Sequence, residues 1–240
     1  EKNLIVCNGV SEVINILPKI FTGKFGIFTP TFNEYIDAIG KERIFLKEVK
    51  NTSFRYASNE LYGLSKKCRN IILINPDNPS GNLISKSELL KFFNYLKIKK
   101  KNLIIDESFI DFSNKKSFDK MLSQKILTKY QNLLVIKSIG KSFGVAGIRL
   151  GVVGSSNNKL LSEIKTNLAI WNINSFAETF LEIMPKYLPT FKVACNKIID
   201  ERKIFFKELE KIKFLEPLPS FSNYIMCKIS NKFSSDRLSK

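Results

Sequence analysis

The chain predicts an α/β fold, a mostly parallel, doubly wound sheet with helices on both faces. Two observations carry this. Short, largely apolar runs recur at Leu4–Cys7, Gly26–Phe28, Arg43–Val49, Ile71–Ile74, Leu103–Ile105, Leu133–Ile136 and Ile148–Val153, as strands buried on both faces do. Helical patterns and cap signals fall between these runs, so strands and helices alternate, which is the mark of parallel strands joined by crossovers. No internal repeat or low-complexity linker interrupts the order, and 240 residues are ample for a full core.

The elements follow in turn. Leu4–Cys7 is a strand, Asn8 and Gly9 turn the chain, and Ser11 suits the N-cap of a helix through about Leu17. The first-turn N–H groups of Val10, Ser11 and Glu12 then form an anion site at the helix start. Gly26–Phe28 leads into Pro30, Thr31 and Phe32, with Tyr35 shortly after. Phe32 offers a flat apolar face that suits an aromatic ligand ring or ordinary core equally well. Arg43–Val49 is another strand, and Leu61–Arg69 has no clear pattern.

Ile71–Ile74 ends in Asn75-Pro76-Asp77-Asn78-Pro79-Ser80-Gly81, a rigid turn set by two prolines and a glycine. Ser85 and Glu88 form a capping box, and a helix follows to about Lys97. Leu103–Ile105 runs into Asp106, Glu107, Ser108 and Phe109. The carboxyl end of a parallel strand is where such sheets bind ligands, and a carboxylate buried there with no cationic partner is costly; both points make Asp106 a candidate site residue.

The strand Leu133–Ile136 leads into a segment, Lys137 to Gly151, rich in glycine and small residues and holding the cations Lys141 and Arg149. Backbone without side chains lets a ligand approach closely. A poorly solvated lysine there can lose its proton and act as an amine nucleophile, whereas an arginine stays charged and suits phosphate. An ordinary loop with two solvated cations would read the same way. A helix over Lys159–Leu168, a polar segment from Trp171 to Ser175 and a helix from about Thr190 to Lys211 follow. Pro217-Leu218-Pro219-Ser220 breaks that helix, and Tyr224–Ile229 is a strand.

Composition excludes several chemistries. There is no histidine, which rules out a Ser-His-Asp triad, a Cys-His dyad and any histidine-ligated zinc site. Proton transfer falls to Lys, Asp, Glu, Tyr or Cys, or to a cofactor. Cys7, Cys68, Cys195 and Cys227 form no C-x-x-C pair, and their mostly apolar surroundings predict reduced, buried thiols and a cytoplasmic location. The net charge is +17, from 39 lysines and arginines against 22 acids. The cations are scattered, so they predict a solvated surface and not a nucleic-acid or membrane partner. No apolar run approaches the length of a membrane span.

Four segments, in order, resemble the class I/II aminotransferases, a pyridoxal 5'-phosphate (PLP) family. Lys141, with Arg149 eight residues on, resembles the family's Schiff-base segment. Asn8-Gly9-Val10-Ser11-Glu12 resembles its phosphate-binding Asn-Gly-x-x-Glu. The Asn75–Gly81 turn resembles Asn-Pro-x-Asn-Pro-Thr-Gly with Ser80 in place of Thr, and Asp106 stands where the family places an aspartate. The resemblance implies a seven-stranded large domain, here 1–185, followed by a connecting helix and the beginning of a smaller α+β C-terminal domain, 186–240. It implies that Lys141 and Asp106 are catalytic. Val10, Ser11, Ser138 and Arg149 would hold the phosphate, Phe32 would stack on the ring, and Asn78 would donate to its phenolic oxygen. It also implies a homodimer.

Two positions depart from the family. Gly140 replaces a phosphate-binding serine, leaving more to Ser138, and Phe109 replaces a tyrosine that donates to the phenolic oxygen. The family's segment before the first motif and its carboxylate-binding arginine have no counterpart in this sequence. The motifs resemble histidinol-phosphate aminotransferases and threonine-phosphate decarboxylases alike. Transamination of a small phosphorylated amino compound is the expected activity. The alternatives are decarboxylation of an O-phospho amino acid and a non-catalytic PLP-sensing or nucleic-acid-binding role.

Overall fold

The computed structural model describes residues 3–56, 58–113, 120–230 and 233–238. Seven strands form the main sheet: β1 (Leu4–Cys7), β2 (Phe25–Thr29), β3 (Ile44–Glu48), β4 (Asn70–Ile74), β5 (Asn102–Asp106), β6 (Leu133–Ser138) and β7 (Gly151–Gly154), in the order β1-β7-β6-β5-β4-β2-β3. From β3 to β6 all neighbours are parallel, and β7 runs antiparallel to both β6 and β1. The fold is thus the mostly parallel α/β sheet that the alternation predicts.

The period-2 alternation of each strand divides the core into two layers. Ile72, Ile74, Ile104, Leu134 and Ile136 point to one face, where α1 (Val10–Ile20), α2 (Glu34–Ile39) and α7 (Asn158–Asn167) cover them. Ile71, Leu73, Leu103, Ile105, Leu133 and Val135 point to the other, under α3 (Ser58–Lys67), α4 (Lys86–Ile98) and α5 (Gln124–Lys129). Ser85 caps α4 with the full capping box.

Several boundaries differ from the sequence expectation. The N-cap of α1 is Gly9, not Ser11, and Ser11 lies in the first turn. Gly9 has φ 79° and ψ 162°, a region essentially closed to other residues, so the chain enters the helix two residues earlier than a serine cap predicts. The unclear stretch near Leu61 is α3. β7 starts only at Gly151, because Ala146–Ile148 form a 3-10 turn and Arg149 adopts a left-handed φ of 53°.

The long helix α8 spans Ser175–Glu210 and so begins well before Thr190. Asn174 caps it by accepting from Ala177 N at 2.9 Å. The helix continues through Pro185 and Pro189, and through the expected domain boundary. Each proline removes one ladder donor, while Phe180, Leu181 and Met184 pack on Ile139, Leu150 and Ala177. The expected strand over Tyr224–Ile229 shortens to β9 (Cys227–Ile229), paired antiparallel with β8 (Leu215–Pro217). Tyr224 instead donates to the carbonyl of Asp77 at 2.8 Å, which ties its segment to the loop after β4.

Candidate active site

The topology gathers chemistry at one end of the sheet. β1, β2, β4, β5 and β6 all end there, delivering Gly9, Phe32, the Asn75–Gly81 turn, Asp106 and Ser138 in turn. β7 is reversed, so its amino end lies at the same edge and brings Arg149 with it. A cavity of about 160 Å³ opens between them, lined by Gly9, Val10, Ser11, Phe32, Asp106, Ser138, Lys141 and Arg149 among others. A larger groove of about 620 Å³ runs along the second half of α8 between Ala194 and Glu208, but none of these strand-end residues reaches it.

One end of the cavity is built for an anion. Val10 and Ser11 open α1, where first-turn amides have no acceptor within the helix. The Arg149 guanidinium lies directly over Gly9: a Cβ at that position would stand 2.9 Å from its Nη2. Glycine is required here twice, for its backbone angles and for this close approach. Ser138 ends β6, is buried, and caps the four-residue helix α6 (Ile139–Ser142), its Oγ accepting from Lys141 N at 3.3 Å. Its hydroxyl keeps a proton to donate.

The other end is built for a cation. Asp106 is 4% exposed. Its Oδ2 accepts from the Tyr35 hydroxyl at 2.9 Å, and its Oδ1 accepts from Ser108 N at 2.9 Å and Ser108 Oγ at 2.5 Å. Burial pushes the Tyr35 hydroxyl well above its usual range, with the Asp106 charge adding to the effect, so Tyr35 stays a donor. The carboxylate is therefore held by neutral donors rather than by a cation. Tyr35 and Ser108 are site residues that the sequence reasoning missed. The signals were the Asp-x-Ser spacing, which suits a local side-chain turn, and a tyrosine soon after Phe32.

Lys141 lines the same cavity. Its Nζ stands 5.0 Å from the ring centre of Phe32 and 4.9 Å from that of Phe109. The sequence predicts a poorly solvated amine, yet Lys141 is exposed. Phe109, where the family carries tyrosine, is buried against Tyr224, ring centres 5.1 Å apart. Asn78 is half-buried in its turn and is not among the residues lining this cavity. That turn is fixed to the site by Asn75 N, which donates to the carbonyl of Asp106 at 2.8 Å.

Beneath the floor lies a second charged cluster. Asp111 accepts from the buried Lys137 ammonium, from Lys120 Nζ at 2.5 Å and from Ser142 Oγ at 2.8 Å. Burial alone would raise the Asp111 pKa, but the ammonium groups of Lys137 and Lys120 outweigh it and bring it down to about 2. Neighbouring Glu107 is fully buried and accepts from Met121 N at 2.7 Å and Leu122 N at 3.1 Å. There burial dominates and pushes the carboxyl up to about 7.

The model of the family described as aminotransferase class I and II matches residues 1–239. An L-serine phosphate decarboxylase from Campylobacter jejuni is 30% identical over 98% of this chain and 62% of its own length. A histidinol-phosphate aminotransferase from Pyrococcus furiosus is 30% identical over 95% of this chain and 64% of its own. The chain thus spans less than two thirds of the length of these curated relatives. The crystal structure of the histidinol-phosphate aminotransferase from Clostridium acetobutylicum superposes with a TM-score of 0.85 at 28% identity, covering 98% of this chain and 70% of that one. A family match across nearly the whole sequence, together with a solved member that superposes on almost all of this chain, settles the assignment: the chain belongs to the class I and II aminotransferases, a PLP-dependent family.

Proposed function

We propose that this chain is the cofactor-binding part of a PLP-dependent transaminase acting on a small, phosphorylated amino compound. One observation supports this above the rest: a single cavity is lined by an anion-holding group of Val10, Ser11, Ser138 and Arg149, by the carboxylate of Asp106 and by Lys141. The donor set fits the cofactor. Arg149, Ser138 and the amides of Val10 and Ser11 would take its phosphate by charge-assisted hydrogen bonds. Asp106 would hold a proton on the ring nitrogen, and Phe32 would cover a ring face. The Gly9 contact fits as well, since it lets the Arg149 guanidinium share one anion with the start of α1. When bound, the cofactor supplies an electron-withdrawing ring that stabilises negative charge at the substrate's Cα.

The chain's own residues do the rest. Tyr35 and Ser108 keep Asp106 oriented through three hydrogen bonds. Lys141 would be the amine that holds the cofactor, and the same amine would serve as the base for the proton at the substrate's Cα. Asn78 would donate to the cofactor's phenolic oxygen, a contact that Phe109 is unable to make.

Decarboxylation of an O-phospho amino acid is the second reading, favoured by the 30% identity to an L-serine phosphate decarboxylase. The same residues serve it, with carboxylate lost in place of the proton. We read the functional unit as a homodimer, supported by Ile170, Trp171 and Phe176 at 95%, 91% and 80% exposure, and the four free cysteines favour the cytoplasm. An assay of the full-length enzyme that measures keto-acid formation and carbon dioxide release separately decides between the two reactions. Borohydride reduction should fix PLP to Lys141 in the wild type and fix nothing in Lys141→Ala; a fixed cofactor in that variant would overturn the assignment.

A further inference from the structure

We infer that Ser142 and the buried Asp111–Lys137 pair are positioning residues that aim Lys141 at the bound cofactor; the inference rests on the role proposed above for Lys141. The helix carrying Lys141 has four residues, too few to hold its own direction. The segment after β5 supplies the missing constraint. It begins at Asp106 and is linked to the Lys141 turn at two positions: Ser138 N donates to Ser108 Oγ at 3.1 Å, and Ser142 Oγ donates to Asp111 Oδ2 at 2.8 Å, with Ser108 O as a longer acceptor at 3.4 Å. The first lies before Lys141 and the second directly after it.

Asp111 is itself immobilised. Lys137 holds the oxygen that Ser142 reaches, and Lys120 holds the other. Lys137 and Asp111 are 7% and 5% exposed. Lys137 faces away from Ser138 on β6, so it is shielded from the cofactor cavity, whose lining includes Ser138 but not Lys137. A buried ion pair is a poor source of stability compared with apolar packing of the same volume, and a fixed geometry is what it can supply. Here that geometry joins the two groups that must address the same ligand, Asp106 and Lys141.

The test compares two ligands on the full chain. PLP has the aldehyde that Lys141 attacks; 4-deoxypyridoxine phosphate has the ring and phosphate without it. Ser142→Ala removes the link and leaves the ion pair intact. At equal PLP occupancy, the fraction of Lys141 fixed by borohydride, read by peptide mass mapping, should fall about tenfold or more, the loss expected for one hydrogen bond to a charged acceptor. Affinity for the deoxy analogue should stay within about twofold, since no phosphate or ring contact is touched.

Equal fixing in variant and wild type would overturn the inference, and so would parallel weakening of both ligands, which is what a general loss of structure produces. The paired Asp111→Leu/Lys137→Met variant removes the anchor without leaving a buried charge and should reproduce the Ser142→Ala result; wild-type fixing in the pair would also overturn it. A wild-type chain that takes no label on Lys141 would instead sink the proposed function itself.

Discussion

Replacing Gly9 with alanine separates backbone strain from anion binding. Gly9 sits at φ 79°, ψ 162°, where a residue other than glycine costs about 1–3 kcal/mol. The new Cβ would also stand 2.9 Å from Arg149 Nη2 and 3.2 Å from its Cζ. The guanidinium is the free end of a flexible side chain, so it swings away at little cost to the fold, and its contact with the phosphate is lost. A charge-assisted hydrogen bond contributes about 1.5–3 kcal/mol, which is about ten- to a hundredfold in affinity.

Gly40 provides the control. It adopts nearly the same angles, φ 81° and ψ 149°, and a Cβ added there would meet nothing within 4 Å. Urea melts of Gly9→Ala and Gly40→Ala should show similar losses of stability. Titration with 4-deoxypyridoxine phosphate should show the affinity loss in Gly9→Ala alone. If the two variants bind the analogue equally well, Arg149 does not hold the phosphate over Gly9.

Three further outcomes are expected. Arg149→Lys keeps the charge but loses the planar fork, so it should weaken PLP binding by about tenfold or more, whereas Ser138→Ala should cost about 1 kcal/mol; PLP titrations that reverse this ranking would place the phosphate elsewhere. Asp106→Ala should weaken PLP binding and lower turnover at least about a hundredfold, as loss of a group that stabilises developing charge does, and near-normal steady-state rates would rule out its role at the ring nitrogen. Glu107 holds its proton more tightly in the folded chain than in the unfolded one, so stability should fall as pH rises from 4.5 towards about 7. Asp77, pushed up to about 6 chiefly by burial, acts in the same sense. Denaturant melts across this range should therefore show a shallower slope for Glu107→Gln, and an unchanged slope would mean Glu107 does not titrate there.

The sheet and most of the site were legible for different reasons. Strands such as Ile71–Ile74 are apolar on both faces, and that pattern survives any detail of packing. Lys141, Arg149 and Asp106 were legible because each stands at a strand end within a recognisable motif. What escaped was set by contacts between distant segments. The direction of β7 depends on pairing with β1 and β6, which a run of small apolar residues does not encode. The first half of α8 was hidden by Pro185 and Pro189, since sequence rules stop at prolines that tertiary packing tolerates. Tyr35 reaches Asp106 across 71 positions of sequence, and Asp111 meets Lys137 across 26. Neither pairing has a local signature. The solvation of Lys141 was misjudged because a glycine-rich neighbourhood says nothing about what covers it.

The reversed strand has a consequence for when the protein can begin to work. β1 precedes the other strands of the main sheet in this sequence, yet it is an edge of the sheet whose only neighbour among the described residues is β7, with Leu4 opposite Gly154 and Cys7 opposite Gly151. Gly151 also stands opposite Ser138. In a growing chain β1 therefore lacks its sheet partner until about 150 further residues have left the ribosome, and contacts of such long sequence separation form slowly. Strands β2 to β6 can pair in their own neighbourhood meanwhile. The candidate phosphate site needs both Gly9 after β1 and Arg149 before β7, so capture of the cofactor during synthesis would mark the moment at which these two strands meet.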